Sequence, residues 1–235
     1  MEPTHPHTLS PACPVLYRDD WILAVDKPAG IIVHGDGTGS PTLTDMVRAR
    51  LIAERHVDAA HDLQCLQRLD RDTTGIVLFS INKRFQPAFD RLIAERGLTK
   101  RYLAVAQGRI FWSSRTFVDP LGRDRHDSRR MRVNPRGVSA RTEAERLAVF
   151  PATTAHGERT LLAVRIQTGR KHQIRVHLSH AGHPIVGDAL YGRPDPAGLL
   201  LQAHELSFMH PVALEQVTIT APTPAWAQTN RSEQA

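Results

Sequence analysis

The residues best suited to chemistry stand together in Cys65–Ser80, CLQRLDRDTTGIVLFS. Arg68, Asp70, Arg71 and Asp72 form a tight charged cluster, followed by Thr73-Thr74-Gly75 and an apolar run to Phe79. A short run rich in Ile, Val and Phe and entered through a glycine is the pattern of a buried strand. The cluster is therefore expected on a turn anchored to a rigid strand, where a catalytic side chain can be held still. A carboxylate flanked by arginines stays ionised, because nearby positive charge favours its charged form. Such an anion can act as a nucleophile or an electrostatic stabiliser, and is a poor general acid at neutral pH. The competing reading is a charged surface turn whose side chains merely pair with one another.

The charge balance narrows the choice of partner. The chain has 235 residues and a formal net charge of +6. Between Arg101 and Arg146 stand eleven arginines, no lysine and five acids, an excess equal to the formal total. Planar, forked guanidinium donors suit phosphate, so nucleic acid is favoured over a solvated basic surface. No run approaches the roughly 20 apolar residues that cross a bilayer, and the N-terminus lacks the basic start and apolar core of a secretory signal. Cys13 and Cys65 form no zinc spacing, so reduced thiols and a cytoplasmic location are expected. The glycine-rich piece at 35–39 lacks the spacing of a nucleotide-binding P-loop.

The elements that must position the cluster can be traced in order. Val15–Asp26 reads as a hairpin turning at Arg18-Asp19-Asp20, with a short apolar continuation over Ile31–His34. Residues 42–55 predict a helix with Ser40 or Thr42 as cap and Leu43, Val47 and Leu51 on its buried stripe. Residues 82–96 predict a second helix, capped by Asn82 and closed by Gly97, with Pro87 marking an irregular or delayed start. Residues 100–107 alternate as a strand, with Tyr102, Ala104 and Ala106 on one face. The arginine-rich stretch 111–137 reads as short strands and loops. Residues 142–150 and 160–168 form a hairpin pair, and 170–181 a helix on which Gln173 and His177 share one face and His172 and Arg175 another. Late strands follow at 199–206 and 217–220. Strands outnumber helices and cluster in meanders, which makes the class α+β.

Four blocks resemble a known family. They are Lys27-Pro28-Ala29-Gly30 with His34; Arg68-Leu69-Asp70-Arg71-Asp72-Thr73-Thr74-Gly75; Lys100-Arg101-Tyr102-Leu103-Ala104; and Gly169-Arg170-Lys171-His172-Gln173-Ile174-Arg175-Val176-His177. Gly187-Asp188-Ala189-Leu190-Tyr191-Gly192 and Gln202-Ala203-His204 extend the match. Together they resemble the RluA-type RNA pseudouridine synthases, from about Val15 to Pro222. The resemblance implies a mixed, mostly antiparallel central sheet flanked by helices, with a catalytic cleft across it. It implies one catalytic domain over 15–222, between a loosely packed tail at 1–14 and a polar tail at 223–235. A short, single-domain member without the S4-type RNA-binding domain of many relatives is expected.

Residue by residue, Asp70 matches the family's catalytic aspartate, Tyr102 the tyrosine that stacks on the target base, and Arg175 the arginine paired with the aspartate. Arg68 matches the residue that enters the RNA stack and helps displace the uridine. Arg71, Lys27, Lys171, His172 and Gln173 are the further candidates for RNA contact. Two positions depart from the family pattern: Gln67 stands where His is usual, and Thr74 where Ser is usual. Threonine keeps the hydroxyl, whereas Gln67 removes a titratable ring and bears on base flipping or substrate choice.

The implied reaction breaks the glycosidic bond, turns the uracil and rejoins it through carbon 5. It is redox-neutral and needs neither metal nor cofactor. It needs a carboxylate close to the sugar, a flat surface for the detached base, exclusion of water and a flipped-out nucleotide. Tyr102 is also a candidate base for the carbon 5 proton. The expected partner is structured RNA, a ribosomal or transfer RNA stem-loop, met by a monomer. His172, His177, His180 and His183 lack a metalloprotease pattern and are read as packing or RNA contacts. A non-catalytic RNA-binding or ribosome-assembly protein is the alternative. A retaining glycosidase would need a second carboxylate about 5 Å from the first.

Overall fold

The expected first hairpin opens the chain in a computed structural model that describes residues 13–228 apart from 36, 38 and 155. Tail residues 1–12 and 229–235 lie outside that description. Strands β1 (Val15–Arg18) and β2 (Ile22–Lys27) pair antiparallel. Their turn is held by Asp19 Oδ1, which accepts from the backbone N–H groups of Trp21 and Ile22. Residues 31–34 form no strand. The carbonyls of Ile32 and Val33 instead accept from Leu43 and Thr44 at the start of the next helix.

Helix α1 (Leu43–Ala53) begins at Thr42 with a reciprocal cap: Thr42 accepts from the Asp45 N–H, and the Asp45 carboxylate accepts from the Thr42 N–H. Such a box satisfies donors that the first helical turn leaves without partners. Leu43, Val47 and Leu51 are buried as their spacing predicts. Helix α2 (Val57–Asp62) was not legible, since VDAAHD buries only Ala60. Strands β3 (Gln64–Cys65) and β4 (Thr74–Ser80) follow. A 3-10 turn at Lys83–Phe85 precedes helix α3 (Gln86–Ala94). Pro87 occupies its first turn, where no N–H is required, and Asn82 makes no side-chain cap.

The remaining order is β5 (Thr99–Gln107), β6 (Ser114–Phe117), β7 (Leu121–Arg123), β8 (Met131–Val133), β9 (Thr142–Phe150), β10 (Arg159–Ile166), α4 (Gln173–His180), β11 (Leu201–Met209) and β12 (Gln216–Thr220). Helix α4 starts later than predicted, because His172 before it adopts a left-handed conformation with φ 57°. The main sheet runs β1-β2-β4-β11-β5-β10-β9-β6, with β3 added to β4 and β12 to β11. Strands β7 and β8 pair separately as a small arm. The sheet is mixed and mostly antiparallel, as the resemblance implied, and the β4–β11 contact supplies its parallel pair.

That parallel pair explains Gly75. Its φ is +103°, and a Cβ there would collide with the carbonyl of Ala203 on β11; only glycine accepts both conditions. Strand β5 crosses the middle of the molecule with the predicted alternation. Tyr102, Ala104 and Ala106 join the core that includes Leu43, Val47 and Leu51, while Leu103 and Val105 face a second cluster with Val186, Leu200 and Ala227. Ala227 belongs to a final 3-10 turn at Ala225–Ala227, inside the stretch read as a polar tail.

Candidate active site

Asp70 sits in a tight turn closed by the Thr73 N–H on its own carbonyl, at 3.2 Å. The turn is tied to β2 by Lys27. This lysine is fully buried, and its ammonium donates to three carbonyls: Pro28 at 2.8 Å, Ile31 at 2.8 Å and Arg71 at 2.7 Å. An ammonium carries three N–H groups, so none remains for a phosphate. The expectation that Lys27 touches RNA is corrected: it holds the Asp70 turn from beneath. Burial lowers its pKa to about 8, against the opposing charges of Asp72 and Asp70. The Gly30 N–H also donates to Arg71 O, at 3.0 Å.

The guanidinium of Arg175, in the first turns of α4, reaches Asp70 from the other side. Its Nη1 donates to Asp70 Oδ2 at 3.1 Å. Its Nε and Nη2 donate to the two oxygens of Asp188, both at 2.8 Å. Fork-to-fork pairing of this kind fixes direction as well as charge. Asp188 is sealed, with 0% of its side chain exposed against 25% for Asp70. Asp188, which stands in the sequence only as part of a matching block, has Arg175 as its partner. A clue stood beside it in Gly187, whose φ of +78° and whose contact with the Gly198 carbonyl admit no side chain. An aspartate on so constrained a turn has a fixed direction.

Between these groups lies an open cleft of about 690 Å³. Tyr102 lies in its wall, with Ala203 and Val164 as its neighbours on the adjoining strands. Burial, helped by the charge of Asp70, pushes the Tyr102 pKa well above its ordinary value and favours the neutral phenol. Leu69, Ile174 and Leu201 complete an apolar floor. Asp70 is the one acidic residue lining the cleft among the described residues, against Arg68, Arg96, Lys100, Arg170, Lys171 and Arg175. Arg68 and Lys171 are exposed. Lys100 and Arg96, absent from the sequence-based candidates, line the same wall; burial lowers the Lys100 pKa.

The structure thus gathers Asp70, Tyr102, Arg175, Arg68, Lys171, His172 and Gln173 at one cleft and leaves Arg71 and Lys27 outside its lining. Arg71 is exposed beside it and pairs with Asp72 at 3.3 Å. Two assignments change. The Gln173 amide is consumed internally: Oε1 accepts from Thr168 Oγ1 and Arg170 N–H, and Nε2 donates to Arg141 O and Thr142 Oγ1. With both ends occupied and the side chain buried, Gln173 anchors α4 to β9 and has no group left for RNA. His172 is also buried; its Nδ1 meets Tyr191 Oη at 2.7 Å, and its Nε2 faces Asp70 Oδ2 at 3.8 Å. Its RNA-contact assignment gives way to a place behind Asp70. His177 meets Thr142 Oγ1 and Asp119 O, and His183 the Gln107 carbonyl, so these rings turn to separate partners.

Comparison with known proteins agrees with this geometry. A sequence model of the RNA pseudouridylate synthase family matches residues 21–180. A ribosomal large subunit pseudouridine synthase D of Xanthomonas campestris is 36% identical over 226 residues, covering 89% of this chain and 66% of that protein. An uncharacterised RNA pseudouridine synthase of Bacillus subtilis is 33% identical over 222 residues, covering 90% and 68%. The chain therefore spans about two thirds of the length of these relatives. Among solved structures, human RNA pseudouridylate synthase domain containing 1 is similar with a TM-score of 0.76 and 27% identity, over 94% of this chain and 87% of that one. With a family match across the Asp70 turn, the Tyr102 strand and the whole of α4, the chain belongs to the RNA pseudouridylate synthases, a family of isomerases.

Proposed function

We propose that this chain isomerises uridine to pseudouridine in structured RNA, with Asp70 as the catalytic carboxylate. One observation carries the reading: the single acidic group of a cation-lined cleft has one oxygen held by Arg175, while its other oxygen, Oδ1, accepts no hydrogen bond among the described residues. An RNA-binding surface gains nothing from a carboxylate that repels phosphate, whereas glycosidic bond cleavage requires one. A retaining glycosidase reading lacks its second acid, because Asp188 is sealed behind Arg175.

The roles follow from position. Arg68, exposed at the mouth of the cleft, enters the stack and fills the gap left by the flipped nucleotide, offsetting an unstacking cost of a few kcal/mol. Asp70 meets the nucleotide, and the bond between the sugar and nitrogen 1 breaks. The uracil turns against the Tyr102 ring, joins the sugar through carbon 5 and loses the carbon 5 proton. The apolar floor keeps water from the detached base. Lys171, Arg170 and Lys100 neutralise the backbone phosphates. The acting unit in this proposal is a monomer. The names of relatives such as that of Xanthomonas campestris favour large-subunit ribosomal RNA over a transfer RNA stem-loop.

Pseudouridine mapping of total RNA from cells with and without the protein tests this directly. Wild-type protein restores one or a few sites, and Asp70→Asn restores none while retaining RNA affinity. Modification by Asp70→Asn would overturn the catalytic assignment, and no site lost on deletion would overturn the activity.

A further inference from the structure

Two groups from separate parts of the chain meet at the hydroxyl of Tyr191. The residue lies one turn beyond Asp188. Its backbone N–H donates to Asp188 Oδ1 at 3.1 Å, and its carbonyl accepts from Ser179 Oγ of α4 at 3.0 Å. Two guanidinium groups stand over its ring, Arg130 at 5.1 Å and Arg175 at 5.2 Å from the centroid. Arg130 precedes β8; Arg175 is the partner of Asp70. The hydroxyl oxygen accepts from the Met131 N–H, the first residue of β8, at 2.7 Å, and stands 2.7 Å from His172 Nδ1.

The proton count at this hydroxyl is restrictive. A phenol has one proton to give. If His172 Nδ1 carried a hydrogen and donated it, the Tyr191 proton would have no acceptor among the described residues. With Met131 N–H donating, the satisfied arrangement is Tyr191 O–H to Nδ1. The ring proton of His172 then rests on Nε2, which faces Asp70 Oδ2 at 3.8 Å. Burial pushes the His172 pKa down to about 4, so the ring is neutral at pH 7 and has a tautomer to choose. The backbone of His172 is left-handed, with φ 57°, a conformation that a bulky residue keeps only where its surroundings dictate it.

The far end of this chain of contacts is the β7–β8 arm. Residues 121–136 carry six arginines and two aspartates. The arm is seated on α4 through a small cluster of Leu121, Ala140 and Val176, against which Met131, Val133 and Tyr191 pack. We infer that Tyr191 and His172 are positioning residues that couple the seating of this arginine arm to the orientation of Asp70. With the arm seated, Met131 occupies the Tyr191 oxygen, Nδ1 accepts, and an N–H points at the Asp70 carboxylate. With the arm lifted, the oxygen is free to accept from Nδ1–H. A bare Nε2 lone pair then faces Asp70 and repels it. RNA phosphates bound along the arm would in this way hold it seated and keep the carboxylate oriented through the reaction. The inference rests on the proposed isomerase reading for its consequence, and on the hydrogen bonds alone for its geometry.

Two measurements test it on the full chain. Nitrogen-15 spectra of histidine-labelled protein need no RNA: at pH 7 His172 is expected neutral with its proton on Nε2, and Tyr191→Phe is expected to move that proton towards Nδ1. A wild-type ring protonated on Nδ1, or on both nitrogens, would overturn the relay whatever the enzyme does. The second measurement is single-turnover tritium release from a large-subunit ribosomal RNA transcript labelled at uracil carbon 5. Tyr191→Phe is expected to slow release by about 10-fold to 100-fold, the usual cost of losing a group that orients another, with RNA affinity unchanged. His172→Gln places an amide N–H near the Nε2 position and His172→Asn near Nδ1, so Gln is expected to be faster than Asn. A purely structural role predicts the reverse, since Asn tolerates the left-handed backbone best. Wild-type rates in Tyr191→Phe, or Asn outperforming Gln, sink the inference. A transcript modified by neither wild type nor variant counts against the isomerase reading, and the spectrum then decides the relay.

Discussion

The turns at Asp70 and Asp188 offer the same side chain to the same guanidinium, yet their surroundings differ at every point. Asp188 takes two hydrogen bonds from Arg175 and two more from the backbone N–H groups of Leu190 and Tyr191, with no exposure. Asp70 takes one from Arg175 and keeps a quarter of its side chain open to the cleft. The buried carboxylate aims the arginine; the open one receives what is left of it. A guanidinium bound by Asp70 alone would be free to swing towards incoming phosphate. Locked by Asp188, it has one direction in which its third donor can point.

The largest effect should separate the two turns by stability. Removing one partner from a buried ion pair costs about 3–5 kcal/mol, because the other charge is left without compensation. Asp188→Ala is therefore expected to lower the melting temperature by roughly 10 °C. Asp70→Ala, at a partly open pair, should change stability by about 1 kcal/mol or less while abolishing product formation. Thermal melts of the two variants side by side check this. Equal destabilisation would mean that Asp70 is as structural as Asp188.

Acid probes the same region, because His172 behind Asp70 and His177 of α4 are both buried. Burial lowers the pKa of His172 to about 4 and lowers that of His177, whereas an unfolded histidine titrates near about 6.5. Below that pH the unfolded chain binds protons that the folded chain refuses, so stability falls as pH drops. Urea midpoints should hold above about pH 6.5 and decline from there towards pH 4. Midpoints that stay flat over this window would place the rings in a wetter setting than the fold gives them.

Residue types and spacing picked out the Asp70 cluster, the resemblance supplied Tyr102, Arg175 and Arg68, and the failures share a cause. The helix pattern placed Gln173 with His177, and both reach Thr142 Oγ1; His172, expected on the same helix beside Arg175, stands before α4 in a left-handed turn and joins Arg175 only at Asp70. Alternation correctly divided β5 between two cores. Periodicity reports which way a side chain points and says nothing of how deep it ends. Lys27 and Gln173 look like surface contacts in a basic protein and prove to be fully engaged from within. Asp188 was ambiguous for the same reason: its partner lies thirteen residues back on α4, and only the tertiary fold chooses it among several arginines. Helix α2 was missed because six residues with one buried side chain carry no period to detect.

A smaller kinetic effect probes the base-facing wall. The Tyr102 phenol favours its neutral form, which suits a stacking surface better than a base. Tyr102→Phe keeps the ring, so carbon 5 proton release should fall by no more than about tenfold, below the 10²- to 10⁴-fold typical of a lost general base. Tritium release from labelled RNA measures it. A loss of a hundredfold or more would return the proton to the phenol.

The smallest effect comes from the two lysines, which repeat the contrast between the carboxylates. Lys27 is sealed, with three carbonyls satisfied; Lys171 is exposed on the cleft wall and makes no ion pair among the described residues. If Lys171 neutralises one phosphate, its removal releases one counterion fewer on binding. Lys171→Ala should then leave the melting temperature unchanged, weaken RNA binding alike across sequences, and reduce the slope of log affinity against log salt by about 1. The catalytic rate at saturating RNA should stay near wild type, because Asp70 and Arg175 keep their partners. A salt slope that does not move would show that Lys171 faces solvent in the complex. A fall in the saturated rate would instead tie it to Asp70, its neighbour in the cleft.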